Sequence, residues 1–534
     1  MLRLLPKRPL ALLHLFSRPH HSRHLSFLDR VPLISQIQTY LFPVIPTTTT
    51  QPTPKQKKRK RIRRKQRTPD PDSSEALLIH ELALFAARQG LTNYEIADST
   101  IHHYMNFRNA KTVEDLEILD VNSNGHGMAV MTPSAAADED EDRHDHQALQ
   151  DSKVVVIVPF VTKGDVIRAK VGVHHKWYAE GHLLEVIHPS VSRRDELVRC
   201  SHFGVCGGCQ LQMIPYNDQL SFKKKVVVNA FEKYGFDVEE LPISDTVASP
   251  LEYEYRSKLT PHFNSNRADI TIGFDKSGMG RGMFDVESCE IATPVISNAL
   301  TQDRENLETI VKRYKKSGTI LLRDKSIDGE VAYTTDHKEV IAQKINGYVF
   351  RFPAGEFFQN NSSILPLLIN DISGYLKELE LINLVDTYCG SGFIGISLSK
   401  HIKKLIGIEI SAGNLKMASM NAQLNGLHNS QYILGSSEEI FKDLDPSVIN
   451  PNETCIVLDP SRKGSSHSYL TQLSQFKPKL IVYVSCNVFT QARDLQYFLH
   501  ETANGAEYEI RTVKGYDFFP QTKHVESLVV LQLR

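Results

Sequence analysis

The chain has 534 residues, 41% of them hydrophobic, enough for three or four domains of ordinary size. Its 62 basic and 62 acidic residues cancel, which excludes a uniformly basic nucleic-acid coat but hides local segregation of charge. Seven cysteines, an odd number, argue against a disulfide framework, and no apolar run reaches the roughly 18–20 residues of a membrane-spanning helix. A soluble intracellular protein without a membrane partner is expected.

The chain opens with Arg3, Lys7, Arg8, Arg18, Arg23 and Arg30 against one acid, Asp29, and its leucines can share one helix face. This composition predicts a mitochondrial transit segment. A Pro/Thr-rich linker, 43–54, leads to Lys55–Arg67, in which ten of thirteen residues are Lys or Arg. Such a run serves as a nuclear signal, a non-specific RNA contact or a solvated tail. The two together predict mitochondrial localisation and leave open a second pool in the nucleus or cytoplasm. Residues 1–70 thus read as a transit peptide and basic linker, and 71–111 as a small helical module. Ser73 or Ser74 caps its helix and Gly90 stops it.

From 112 to 190 the signals are β. Val113–Val121, Val154–Val158, Val166–Val171 and Tyr178–Ile187 read as strands, with a turn at Asn122–Gly127. They predict a small five-strand barrel, interrupted by an acidic loop, Asp138–Asp145. A central α+β domain follows over 191–350. It opens on Cys200, Cys206 and Cys209, spaced C-x5-C-x2-C, with Cys289 as a candidate fourth thiol. Four thiolates suit zinc or an iron–sulfur cluster, and the spacing does not choose. Further on, Arg256 and Lys258 would share one face of a strand, suited to phosphates or an unstacked base.

The last domain, 351–534, reads as α/β and Rossmann-like. An apolar strand runs into Tyr388-Cys-Gly-Ser-Gly-Phe-Ile-Gly395, and the next strand ends in Glu409, about twenty residues on, placed for ribose hydroxyls. The fourth strand ends in Asp459-Pro460-Ser461-Arg462. A further strand, Leu480–Val484, ends in Ser485-Cys486-Asn487, at the carboxyl edge where such sheets place chemistry. Near the C-terminus stands Phe519-Pro-Gln-Thr-Lys-His524-Val-Glu526.

From about Thr112 onward these motifs resemble the RNA (uracil-5-)-methyltransferases, most closely the eukaryotic members that modify tRNA. The resemblance implies a class I methyltransferase domain that uses S-adenosyl-L-methionine. It implies Cys486 as nucleophile, Glu526 as general base, and Gln359, Tyr388, Glu409 and Asp459 on the cofactor. Arg462, Arg256 and Lys258 would contact substrate, and His524 is a rival base. The barrel resembles the OB-like, RNA-binding TRAM domain. The cysteine pattern resembles that of the rRNA-modifying members, which implies a [4Fe–4S] cluster on Cys200, Cys206, Cys209 and Cys289.

The chemistry follows from the target. C5 of uracil is a poor nucleophile until a thiolate adds at C6, and the C5 proton must then leave before the thiol is eliminated. One nucleophile and one base are needed. A stacked uridine hides both carbons, so an unstacked loop uridine is expected: position 54 of the tRNA T-loop first, an rRNA loop second. A tRNA-folding chaperone with secondary catalysis is a third reading. DNA is not an expected partner, because the thiol chemistry of DNA cytosine-5 methylation places its nucleophile after the Pro near strand four, where Ser461 stands here. A monomer is expected.

Overall fold

The computed structural model describes residues 73–91, 111–132, 153–175, 178–264, 270–277, 282–436 and 449–534, all within a compact unit spanning 68–534. The basic start, the Pro/Thr linker, Lys55–Arg67 and the acidic run 138–145 lie outside the described residues.

A helix, Ser74–Arg88, begins where the Ser73 hydroxyl accepts the amide of Ala76 at 3.1 Å. Its Leu78, Leu82 and Phe85 bury against Met128, Val155 and Ile157 of the first sheet. That sheet comprises β1 (Lys111–Glu117), β2 (Asp120–Val121), β3 (Gly127–Met131), β4 (Val154–Val158), β5 (Val166–His174) and β6 (Ala179–His188). Its order is β1-β5-β6-β4-β3-β2. β1 pairs with β5, and β2, only two residues later, pairs with β3 at the opposite edge. One bent stretch, 111–121, therefore serves both ends, and the sheet curls around Leu116, Ile118, Val156, Ile167 and Ala169. Where five strands are expected, the first is split by this bend.

Short strands build the middle of the chain: β7 (Lys258–Leu259), β8 (His262–Asn264), β9 (Thr271–Asp275), β10 (Met283–Asp285), β11 (Gly318–Thr319), β12 (Leu322–Asp324) and β13 (Tyr333–Thr334). They form a sheet β10-β9-β8-β11 and a sheet β13-β12-β7. A hairpin of β14 (Val340–Ile345) and β15 (Tyr348–Pro353) follows.

The C-terminal sheet has seven strands: β16 (Asn383–Asp386), β17 (Lys404–Glu409), β18 (Ser430–Leu434), β19 (Thr454–Leu458), β20 (Leu480–Ser485), β21 (Tyr508–Tyr516) and β22 (Glu526–Leu533). Their order is β18-β17-β16-β19-β20-β22-β21, with β22 antiparallel to both neighbours. The order reverses between β16 and β19, which opens a ligand crevice at their carboxyl ends. Both faces are covered, so strands such as Leu480-Ile-Val-Tyr-Val are apolar without alternation. Leu480, Val482 and Val484 pack toward the helix Leu365–Glu378, whereas Ile481 and Tyr483 pack toward His467–Phe476 and Val488–Glu501.

That second face has another cover. The helix Tyr216–Lys233 presents Val226, Val227, Ala230 and Phe231 to the same apolar cluster as Ile481, Val529 and Leu531. It lies in sequence within the expected central domain, yet it packs as a layer of the C-terminal sheet. β21 is also bridged by Ile243 and Val247 from the same stretch.

Candidate active site

Strand register decides what meets at the crevice. β20 and β22 pair up to Ser485 opposite Ser527, so the next positions, Cys486 just past β20 and Glu526 at the start of β22, fall at the same edge of the sheet. β19 ends at Leu458 beside Tyr483, which brings Asp459 to the same rim. The Asp459–Arg462 loop is tied down there: the Asn487 amide donates to the carbonyl of Arg462 at 3.0 Å, and the Thr490 hydroxyl donates to it at 3.2 Å. Asn487 also caps the helix that follows Cys486, accepting the amide of Phe489.

Cys486, Glu526, Asp459 and Arg462 line a cavity of about 580 Å³, together with Gln359, Tyr388, Glu409, Arg256 and His524. Lys258 stands outside that lining. Its ammonium donates to the carbonyls of Gly355 at 2.7 Å and Glu356 at 3.3 Å, so it braces the loop that leads to Gln359. Arg256 makes a single bridge to Ala292, two residues before the short strand that holds Lys258, and it alone of this pair reaches the cavity wall.

The glycine loop turns tightly: Gly390 and Gly392 take φ of 53° and 89°, which favours residues without Cβ. Glu409 accepts the amides of Gly390 at 3.0 Å and Ser411 at 2.8 Å, which fixes its carboxylate at the cavity edge. Asp386 ends β16 and was not singled out from the sequence. One of its oxygens accepts the amide of Gly395 at 3.0 Å; the other is buried without a hydrogen-bond partner among the described residues. The acid closing the first strand of a Rossmann-like unit was the available signal.

The cavity's electrostatics are those of crowded acids. Burial pushes Asp386 up to about 7. Burial, then Asp386, pushes Asp459 up to about 7. Burial, then Asp459, pushes Glu526 up to about 8, with Arg462 opposing. The Cys486 thiol is pushed up to about 12 by burial, then by Glu526 and Asp459, again against Arg462. Each acid raises the next because like charges share one low-dielectric pocket. A cation held there would relieve all of them. His524 goes the other way: desolvation at the wall, then Lys523, Arg462, Lys223 and Arg256, push it down to about 3. It stays neutral and is a far weaker base than Glu526.

The four expected cluster cysteines also come together. Cys200, Cys206, Cys209 and Cys289 are free thiols lining a second cavity of about 430 Å³. Arg256 and His524 line both cavities and so form a shared wall. Among the described residues no three His, Cys, Asp or Glu side chains close on a single metal ion. The thiols line a chamber together with Gln212, Arg256 and His524.

Comparison with known proteins now bears on this site. Residues 295–534 match the family described as tRNA (Uracil-5-)-methyltransferase. The chain is 36% identical to the tRNA (uracil(54)-C(5))-methyltransferase of Saccharomyces cerevisiae, over 79% of its own length and 74% of that protein's. The chain belongs to the tRNA (uracil-5-)-methyltransferase family. The Schizosaccharomyces pombe protein of the same description is 42% identical over 70% of this chain and 73% of its own. The fold is shared with the Pyrococcus abyssi tRNA (uracil-54, C5)-methyltransferase solved with S-adenosyl-L-homocysteine. That likeness has a TM-score of 0.56 at 21% identity and covers 78% of this chain and all of that one. In this family's terms the chain carries a Rossmann-like methyltransferase domain behind two smaller β-rich regions, with Cys486, Glu526 and Asp459 on one cavity.

Proposed function

We propose that this protein methylates C5 of a uridine in tRNA, at position 54 of the T-loop, with S-adenosyl-L-methionine as methyl donor. The observation that carries this reading is the β20–β22 register, which sets one thiol and one buried carboxyl at the same edge of the sheet, on a shared cavity. Its relatives bear that activity in their names.

The cofactor supplies an electrophilic methyl on a cationic sulfonium. Glu409 and Asp459 suit its ribose and its charge, and Asp386, Gln359 and Tyr388 line the same cavity. The chain's own groups do the rest. The Cys486 thiol gives up its proton to solvent, and the thiolate, which Arg462 favours, adds its electron pair to C6, so the C5–C6 π pair becomes an enolate with charge on O4. That pair takes the methyl, and the electrons of the broken C–S bond stay on the donor sulfur as a neutral thioether. Arg462 and Arg256 are the cations near that charge. After methylation, the Glu526 carboxylate takes the proton from C5. The electrons of that C–H bond re-form the C5–C6 double bond, and the sulfur leaves C6 as thiolate. A carboxyl raised to about 8 is matched to this proton far better than an ordinary glutamate.

Four thiols on one chamber match a [4Fe–4S] cluster in number of ligands, and such a cluster is proposed there with a structural or RNA-shaping role. The curled first sheet is assigned a TRAM-like part in gripping RNA. The basic start and Lys55–Arg67 support a mitochondrial protein with a second nuclear or cytoplasmic pool; a fluorescent fusion lacking 1–30 should lose the mitochondrial signal.

The test uses 5-fluorouridine, whose C5 fluorine cannot leave as a proton. A fluorinated T-stem-loop mixed with protein and cofactor should give a covalent complex on a denaturing gel, absent in Cys486→Ala. Capture of fluorinated rRNA loops alone would move the substrate to rRNA. Tight tRNA binding without capture of either would favour a folding chaperone.

A further inference from the structure

The loop that ends in Glu526 is held from outside the methyltransferase sheet. Gln521, its pivot, is buried with φ of 69°, an unfavourable backbone state for a side-chain-bearing residue. Several groups keep it there. The Gln219 amide donates to the Gln521 side-chain oxygen at 2.9 Å, and the Gln521 backbone amide donates back to Gln219 at 3.0 Å. Tyr255 donates its hydroxyl proton to the Pro520 carbonyl at 2.9 Å. Lys223, fully buried, pairs with Asp517 and donates to the Phe519 carbonyl at 3.0 Å. The backbone amides of Gln210 and Leu211 both donate to the Gln521 carbonyl, at 3.0 and 3.1 Å.

Gln210 has a second attachment. It directly follows Cys209 and is 8% exposed. Its side-chain nitrogen donates to the carbonyl of Gly207, inside the cysteine loop, at 2.7 Å. Its side-chain oxygen accepts the backbone amide of Lys523, three residues before Glu526, at 3.1 Å. One carboxamide thus uses its donor end on the thiol loop and its acceptor end on the base loop. Thr522 and His524 of that same loop line the cysteine chamber.

We propose that Gln210 is a positioning residue that ties the cysteine loop 200–209 to the loop bearing Glu526, so that the thiol chamber acts on removal of the C5 proton and not on cofactor binding. The proposal rests on the functional reading above. The mechanism separates the steps: Cys486 follows β20, whereas Glu526 opens β22 directly after the tied loop, so the tie bears on the base before the nucleophile. Weakening the tie should leave adduct formation and slow adduct release.

The test is a single-turnover reaction of the full chain with an unmodified T-arm, following the covalent complex as it forms and decays. Gln210→Ala should form the adduct at nearly the wild-type rate and release it at least about tenfold more slowly, since small misplacements of a catalytic group cost that much or more. Cofactor affinity should stay within about twofold, as for a group that does not touch the cofactor site. Amide hydrogen exchange should rise in both 207–209 and 522–526. Gln210→Glu keeps the acceptor aimed at Lys523 and loses the donor aimed at Gly207. It should slow adduct release as Gln210→Ala does, with exchange rising in 207–209 and little changed in 522–526. Formation and release falling together in Gln210→Ala would overturn the proposal, as would unchanged release in Gln210→Ala, or Gln210→Glu releasing at the wild-type rate. A wild-type protein that forms no adduct would instead sink the functional reading itself.

Discussion

Two cavities share a wall of Arg256 and His524 but are built on different principles. The catalytic cavity stands on the edge of one sheet, where register brings Cys486, Glu526 and Asp459 to one rim. The cysteine chamber stands on loops, three thiols from 200–209 and one from Cys289, with a single bridge from Cys206 to Lys276 as strand pairing. A sheet-borne site keeps its geometry at the cost of being rigid and buried, and its acids are pushed far from their ordinary values. A loop-borne site needs something to hold it, a bound centre or hydrogen bonds such as those of Gln210. Precision comes from the sheet, and responsiveness enters from the loops.

The sharpest way to break this comparison is Cys486→Ala. It should abolish turnover and the covalent complex while tRNA binding, read by gel shift, stays within a few fold; turnover near wild type would end the mechanism. Glu526→Gln comes next. Product release should slow by roughly 10²–10⁴-fold, the span of general-base effects, with methylated adduct accumulating on a denaturing gel. Lys223→Ala tests the hold from outside the sheet. Stripping Asp517 of its buried partner should lower unfolding stability by about 3–5 kcal/mol in denaturant titration.

The smallest effect is graded with pH. Asp386, Asp459 and Glu526 bind protons more tightly folded than unfolded. As pH rises from about 4 to about 8 the unfolded chain gives up these protons first, so folded stability falls across that window. The ligand-free protein should lose roughly 1–3 kcal/mol between pH 5 and 8 after discounting for coupling among the three. Glu526→Gln should flatten part of that slope, and added S-adenosyl-L-methionine should offset it. A slope of opposite sign would mean that the acids are not crowded as described.

Much of the catalytic cavity is legible in the chain because its parts obey local rules. Apolar strands end in Cys486, Asp459 and Glu409, and a doubly wound sheet gathers strand ends. Cysteine spacing likewise marks the chamber. What the chain hides is long-range pairing. Lys223 sits in Lys223-Lys224-Lys225 and looks like a solvated face, yet it is fully buried against Asp517. Gln210, Gln219 and Gln521 look like ordinary polar residues, and only the fold shows that they meet. Lys258 reads as a substrate cation because alternation puts it beside Arg256, but two residues of strand are too few to hold that face, and loop carbonyls claim its ammonium. Asp386 is visible as a strand-ending acid, but its unpaired oxygen is not.

The packing of Tyr216–Lys233 has a consequence for how the protein is made. The helix emerges from the ribosome about 250 residues before the strands it covers, a wait of roughly 12–50 s at ordinary elongation rates. For that interval Val226, Val227 and Phe231 have no sheet to meet. Newborn chains should therefore depend on chaperones until β20 and β22 have been synthesised, and the methyltransferase half expressed alone should aggregate along the face that this helix normally closes.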